Sequence, residues 1–390
     1  MNALPPFPPE FIVRFASHRR FTAGSAGAAL LLTLACSAEG GPVRIGLAGP
    51  LSDSVGAPMR RAVELAVEQA NRSGGINGRM IELIARDDFG DPDSAVQVAE
   101  ALQSAGVVAV IGHVNSGSTL AAAPVYNDSR HPVVEISPSS TAPEVTDAGA
   151  YTFRVCPSDL QFGAALARFA AERLGFHHGT VLYLNDDYGR GLRQAFTRSF
   201  SELGGIIDET DPYLGADPDV GPYIERLIRR KTSEFIFLGG NQSEGVAALR
   251  AAANRKLSIP LMGGDGLEGL EKTGRLAEGA YIANGYLASF PSPTNREFVR
   301  VYADRYPGAA PPSQAAAAAY DIIFLLRRVI AQTGTDRTRI RDGLAAVGQG
   351  SAAYEGVTGE IAFDDHGDVP KQRVVIGQVR NGAVIAVEGL

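Results

Sequence analysis

From residue 43 onward, short apolar runs alternate with amphipathic stretches, and this alternation restricts the chain to sheets covered by helices. VRIGLAG (43–49) reads as a strand. In MRRAVELAVEQAN (59–71), Ala62, Leu65, Ala66 and Gln69 recur at helical spacing, which leaves Arg60, Arg61, Glu64 and Glu68 for solvent. SGGINGR is a glycine-rich stop, and MIELIARDD is a second strand. DPDSAVQVAEAL opens a helix, with Asp91 suited to the N-cap and Pro92 to the first helical position. VVAVIG, a helix from about Ser116 to Asp128, and PVVEIS complete a βαβαβαβ pattern, which implies a parallel sheet with helices on both faces.

The pattern then restarts. YTFRV leads into a helix from Asp159 to Leu174, then TVLYLND, a helix after Tyr188, a run near Ile206, a helix around 220–230, EFIFLGG and IPLMGG. Two successive units of similar size within 390 residues predict two similar α/β lobes. Near the end, Asn381-Gly382 lies between apolar runs and predicts a type I′ hairpin. That hairpin is antiparallel and reads as an appendage to the parallel sheets.

The first 41 residues read as lying outside the fold, with 1–36 a signal peptide. Arg14, Arg19 and Arg20 precede the uncharged stretch FTAGSAGAALLLTLA, which has the length of a signal-peptide core and is short for a membrane span. It ends in LTLAC at 32–36, which resembles a lipoprotein cleavage box with Cys36 as the acylated residue, although Thr33 and Leu34 stand one place out of pattern. An ordinary secretory peptide with an incidental cysteine is the other reading, and the MNALPPFPPE start fits an over-extended translation start. Cys156 would then be the lone mature thiol besides Cys36, and its place in YTFRVC predicts a buried, inert one. The chain is expected outside the cytoplasm, tethered through Cys36 or soluble.

Net charge of -7 and the lack of a basic stripe with interleaved aromatics argue against nucleic acid as a partner. No G-x-S-x-G elbow, phosphate-loop lysine motif or H-E-x-x-H is present, and the first strand ends GLAGPLSDS rather than G-x-G-x-x-G. No cofactor is expected. RDDFGDPDS fails calcium-loop spacing and reads as a strand exit plus helix cap, and His113 reads as a packed or capping histidine.

What remains is a set of polar strand ends, and open α/β sheets bind ligands outside the carboxyl ends of their strands. HVNSGST puts Asn115, Ser116, Gly117 and Ser118 at a helix start, where free N–H groups favour an anion. PVVEISPSST brings Ser139, Ser140 and Thr141 to a neighbouring edge. NDDYGRG offers Tyr188, and MGGDG offers Asp265 between glycines. Any one of these residues alone is more simply a cap or turn residue. Their recurrence at strand exits of both lobes is the stronger signal.

GGINGR, RDDFGDPDSAVQVAEAL, VIGHVNSGST, PVVEISPSSTAPEVT, NDDYGRGL, MGGDG and GEIAFDDHGD occur in this order from about residue 43 to 370. In them the chain resembles the leucine/isoleucine/valine-binding family of periplasmic substrate-binding proteins for ABC transporters. The resemblance implies an α/β fold of the type I periplasmic binding protein kind: two Rossmann-like lobes with mostly parallel sheets, joined by a three-segment hinge. Lobe I is expected over 43–156 plus 287–367 and lobe II over 157–286 plus 368–390, with crossings near 155–158, 283–288 and 365–370. By the family's pattern Ser116, Ser139 and Thr141 would hold the ligand's carboxylate and ammonium, with Ser140 shaping that edge. Tyr188 and Asp265 would come from the second lobe, Asp265 pairing with the ammonium. Asn241, in LGGNQ, stands where some members carry a tyrosine. Permease subunits in the membrane would be the partners of a monomeric binder.

Three departures bear on the ligand. SDSVGAPMRR is shorter than in branched-chain binders and lacks their tyrosine; Asp265 is one methylene shorter than the familiar glutamate; and PPSQAAAAAY has alanines where a larger pocket residue occurs. Leucine, isoleucine and valine are therefore one option beside other amino acids, amides and aromatic acids. Two rival functions remain: a sensor of the same fold coupled to a signalling partner, and a serine hydrolase built on the Ser139–Thr141 cluster, which would need a base.

Overall fold

The computed structural model describes residues 40–213 and 219–388, so the signal peptide expected at 1–36, with Cys36, lies outside the described residues. β1 (Val43–Gly49), β2 (Ile81–Asp87), β3 (Ala109–Ile111), β4 (Val134–Ser137) and β5 (Thr152–Arg154) form one sheet in the order β2-β1-β3-β4-β5. Every pairing in it is parallel. The crossovers carry α1 (Gly56–Arg72), α2 (Pro92–Ser104) and α3 (Ser116–Tyr126). Burial on both faces explains the unbroken apolar runs of the central strands. Val43, Ile45 and Leu47 are wholly buried, and a Cβ at Gly46 would come 3.0 Å from Val110 and 3.2 Å from Leu102 of α2.

The chain then crosses to α4 (Asp159–Arg168) and a second sheet. β6 (His178–Leu184), β7 (Ile206–Tyr213), β8 (Phe235–Gly239), β9 (Leu261–Gly263) and β10 (Tyr281–Asn284) alternate with α5 (Asp187–Glu202), α6 (Gly221–Arg230) and α7 (Gln242–Asn254). Their spatial order, β10-β9-β8-β6-β7, repeats the order of the first sheet, and the pairings are again parallel. α4 and α5 approach so closely that a Cβ at Gly163 would meet the Phe196 backbone nitrogen at 2.6 Å. Phe196 stacks on Phe237 with ring centroids 3.8 Å apart.

After β10 the chain returns to the first lobe. α8 (Pro293–Arg305), α9 (Gln314–Thr333) and α10 (Arg337–Ala345) follow, then the small pair β11 (Tyr354–Glu355) and β12 (Glu360–Ile361). α9 packs along α1, placing Ala318, Ile322, Leu326 and Ile330 in one core with Val43, Ile45 and Val63. The alanines of PPSQAAAAAY are therefore largely core: Ala316 and Ala317 pack with Ala62 and Leu65, while Ala318 and Ala319 face the first sheet. β13 (Val375–Arg380) and β14 (Ala383–Glu388) finish the described chain. Asn381 at φ 52° and Gly382 at φ 75° make the expected type I′ turn. The hairpin is not an appendage, because β13 pairs antiparallel with β10 and extends the second sheet to seven strands.

The acidic run behaves as strand exit and cap. Asp87 accepts from Leu51 and Phe89 N–H groups at 3.2 and 2.9 Å, Asp88 from Gly90 at 2.8 Å, and Asp91 caps α2 through Ser94 N–H at 2.8 Å. Cys156 is buried, and burial pushes its thiol well above the ordinary range. No helix among the described residues is long and apolar enough to cross a membrane.

Candidate functional site

Both sheets have the strand order whose reversal opens a crevice at the carboxyl ends. The loop after β4 meets the start of α5 after β6, where a Cβ at Gly191 would come 2.7 Å from Pro143 and 2.9 Å from Asp159 Oδ2. α3 begins at Ser116, and its N-cap residue Asn115 makes no side-chain bond to the first turn. Ser116 is buried and accepts the Ala142 N–H at 3.2 Å, which joins the helix start to the serine loop. A Cβ at Gly117 would lie 3.3 Å from Asp187 Oδ2, so the starts of α3 and α5 face each other closely.

The loop after β4 is organised from within. Ser137 Oγ donates to His113 O at 2.6 Å and accepts the Ser140 N–H at 2.8 Å and the Ser139 N–H at 3.3 Å. Ser140 Oγ lies 2.6 Å from Thr119 Oγ1 and 3.0 Å from Val114 O, so this hydroxyl is engaged inside the first lobe. Ser139 is half-buried. Thr141 is fully buried beside the Asp159 carboxyl, and its hydroxyl has no hydrogen-bond partner of good geometry among the described residues. Beneath the loop, Arg154 donates to the Thr141 and Ala142 carbonyls at 3.2 and 2.9 Å and to Asp368 at 2.7 Å.

On the facing side, Tyr188 Oη donates to Asp265 Oδ1 at 3.2 Å and accepts the Gly266 N–H at 3.0 Å. The flanking glycines of MGGDG make room for this ring, since a Cβ at Gly264 or Gly266 would come 2.9 Å from Tyr188 Oη. Gln314 donates from Nε2 to Asp265 Oδ2 at 3.1 Å. Asn241 takes the N-cap of α7, where its N–H donates to Glu244 at 2.9 Å. The hydrogen bonds that gather Tyr188, Asp265 and Gln314 do not include it.

Asp159 and Gln314 are the residues that sequence reasoning missed, and Asp159 is the deeper of the two. It is wholly buried at the start of α4, and neither carboxyl oxygen has a hydrogen-bond partner of good geometry among the described residues. Burial pushes its carboxyl well up and the nearby Asp265 pushes the same way, while Thr141 and Arg154 act against both. Asp265 is itself raised to about 7 by burial, with the bonds from Tyr188 and Gln314 pulling it back. In the sequence, Asp159 is hidden inside a capping box, with Gln161 Oε1 accepting the Ser158 N–H at 2.9 Å. Its one available signal was position, directly after the exit of β5.

Two carboxyls and an unpartnered hydroxyl therefore meet where the lobes touch, and buried polar groups of this kind are ordinarily paired. An ammonium group fits between carboxylates, and a carboxylate fits hydroxyl groups near a helix start. No described cluster of three metal-ligating side chains accompanies them. The His113 ring is turned away from the serines, to Asp88 at 2.5 Å and Tyr126 at 3.3 Å.

A family model described as periplasmic binding protein matches residues 42–383. A leucine-, isoleucine-, valine-, threonine- and alanine-binding protein of Pseudomonas aeruginosa is 29% identical, covering 84% of this chain and 87% of that one. An ABC transporter substrate-binding protein from Desulfitobacterium hafniense, solved in complex with Leu, is 29% identical with a TM-score of 0.77, covering 89% of this chain and all of that one. A solute-binding protein from Rhodopseudomonas palustris in complex with 3,4-dihydroxybenzoic acid superposes with a TM-score of 0.79 over 90% of this chain and 97% of that one. At 24% identity this last likeness shows the fold alone.

Proposed function

Because the chain belongs to the periplasmic binding protein family, we propose that it captures an amino acid between two lobes outside the cytoplasm and delivers it to an ABC importer. The observation that carries the choice of ligand is the pair of buried carboxyls, Asp159 and Asp265, with the Asp159 oxygens and the adjoining Thr141 hydroxyl lacking well-formed partners among the described residues. In this reading Asp265 and Asp159 take the ammonium. Thr141, Ser116 and Ser139 take the carboxylate, with the start of α3 adding its N–H groups. Tyr188 supports Asp265, Ser140 supports the loop, and Asn241 caps α7 at the rim. An aromatic acid without an amine would leave two buried carboxyls unanswered, which disfavours it.

The moving bodies are residues 43–156 with 287–367 and residues 157–286 with 368–390, hinged at their three crossings. Closing them removes the ligand from water, so matched polar groups then set specificity. The closed form docks on permease subunits. The protein is a binder and not a hydrolase, a reading supported by the orientation of His113 away from the serine hydroxyls. Cys36 carries the membrane tether: Cys36→Ala moves the exported protein from the membrane fraction to the soluble one, and an unchanged distribution contradicts the tether.

A thermal-shift screen over amino acids, amides and aromatic acids tests the reading, since a ligand raises apparent stability. An amino acid gives the largest shift. A shift confined to aromatic acids, or none at all, overturns the proposal.

A further inference from the structure

Gln314 is held at both ends. Its Oε1 accepts the Gly285 N–H in a short contact, and its Nε2 donates to Asp265 Oδ2 at 3.1 Å. A backbone N–H can only donate, so the Gly285 contact fixes which way the amide is turned, and a donor must face Asp265. The backbone N–H of Gln314 also donates to Glu268, at 3.2 and 3.3 Å from its two oxygens. Gln314 begins α9 in the first lobe, whereas Asp265 and Glu268 follow β9 and Gly285 follows β10 in the second. Gly285 sits where the chain crosses: a Cβ there would meet Pro157 at 2.6 Å and Gln314 Oε1 at 3.0 Å. One side chain thus joins a lobe, a crossing and the carboxylate.

We propose that Gln314 is the positioning residue that makes the cleft select an ammonium-bearing ligand, by fixing Asp265 in orientation and in its charged form. The proposal rests on the amino-acid reading above. The titratable groups facing Asp265 are Tyr188 on α5, Asp159 on α4, Glu268 in its own loop and Cys156 after β5. Burial disfavours a charge on Asp265, and that charge in turn pushes Asp159 and Glu268 up. Gln314 and Tyr188 favour it, because each donates to a carboxylate oxygen. Without the amide donor Asp265 keeps its proton, and a neutral acid does not balance an ammonium.

The experiment is calorimetric titration of L-leucine, L-valine, L-threonine and L-alanine into the wild type, Gln314→Met and Gln314→Glu, at several values from about pH 6 to 8.5. The Glu variant keeps an acceptor for Gly285, so it carries the test if the Met variant does not fold. At pH 7 both variants bind the best of these ligands about fivefold more weakly than the wild type, because an Asp265 about tenfold less acidic than the wild-type group, which lies at about 7, keeps about a fifth as much of its charged form. For the Met variant the ratio to wild type shrinks toward one as pH rises, and for the Glu variant the loss is larger at pH 6 than at pH 8.5. A ratio constant with pH means a merely structural role and overturns the inference while leaving the amino-acid reading intact. If the wild type binds none of the four and no other amino acid in the thermal-shift screen, both fail together.

Discussion

The Ser140 hydroxyl lies 2.6 Å from Thr119 Oγ1, within a loop that also offers it the carbonyls of Val114 and His113 at 3.0 and 3.3 Å. Thr141, its neighbour, is equally buried and has no such partner. The two hydroxyls therefore separate by substitution. Ser140→Ala loses about 1–2 kcal/mol of stability, the magnitude of a buried hydrogen bond, and leaves amino-acid affinity nearly unchanged. Thr141→Val keeps its stability and loses affinity. Urea unfolding and calorimetry on the two variants check both halves.

Arg154 is almost wholly buried and ties three carbonyls of the serine loop, at Ser140, Thr141 and Ala142, to Asp368 on the final crossing segment. Arg154→Met leaves Asp368 and those carbonyls short of a donor. The expected loss is about 3–5 kcal/mol, as for other broken buried ion pairs. Arg154→Lys does not restore it, because an ammonium lacks the planar fork that reaches several acceptors at once. Chemical denaturation of the three proteins decides this.

The ligand-free protein is predicted to lose stability as pH rises through neutrality. Burial raises Asp265 to about 7 and Glu268 to about 8, in each case above the value of the unfolded chain. The folded state then binds more protons than the unfolded state, so the contribution is fully present below about pH 4 and is lost on rising through the folded values. Asp265→Asn makes the fall in Tm between about pH 5 and pH 8 shallower. Ammonium binding has the opposite dependence, because it needs the charged carboxylate, so the ligand-induced shift in Tm grows over the same range. A flat profile for both proteins contradicts this account.

Much of the fold was legible because its signals are local. The Asp91-Pro92 cap, the Asn381-Gly382 turn and the alternation of apolar runs each act within a few residues. The site was legible as strand exits, and Tyr188 and Asp265 do meet. What escaped depends on distance in space. Asp159 reads as an ordinary first-turn acid until the burial of its oxygens is known. Gln314 reads as one polar residue before an alanine run, and its partners Gly285 and Asp265 lie 29 and 49 positions away. The β13–β14 hairpin was correctly a hairpin, but its pairing with β10 is a long-range choice that no turn residue encodes.

The central claim is that Asp265 recognises an ammonium group, and the most direct measurement compares two ligands on two proteins. The best-binding amino acid and its deaminated analogue are titrated calorimetrically into the wild type and Asp265→Ala. The wild type prefers the amino acid by roughly ten- to hundredfold, the magnitude of a desolvated charge-assisted bond, and Asp265→Ala loses most of that preference while still folding. Equal binding of the two ligands by the wild type, or full discrimination retained by Asp265→Ala, would contradict the account.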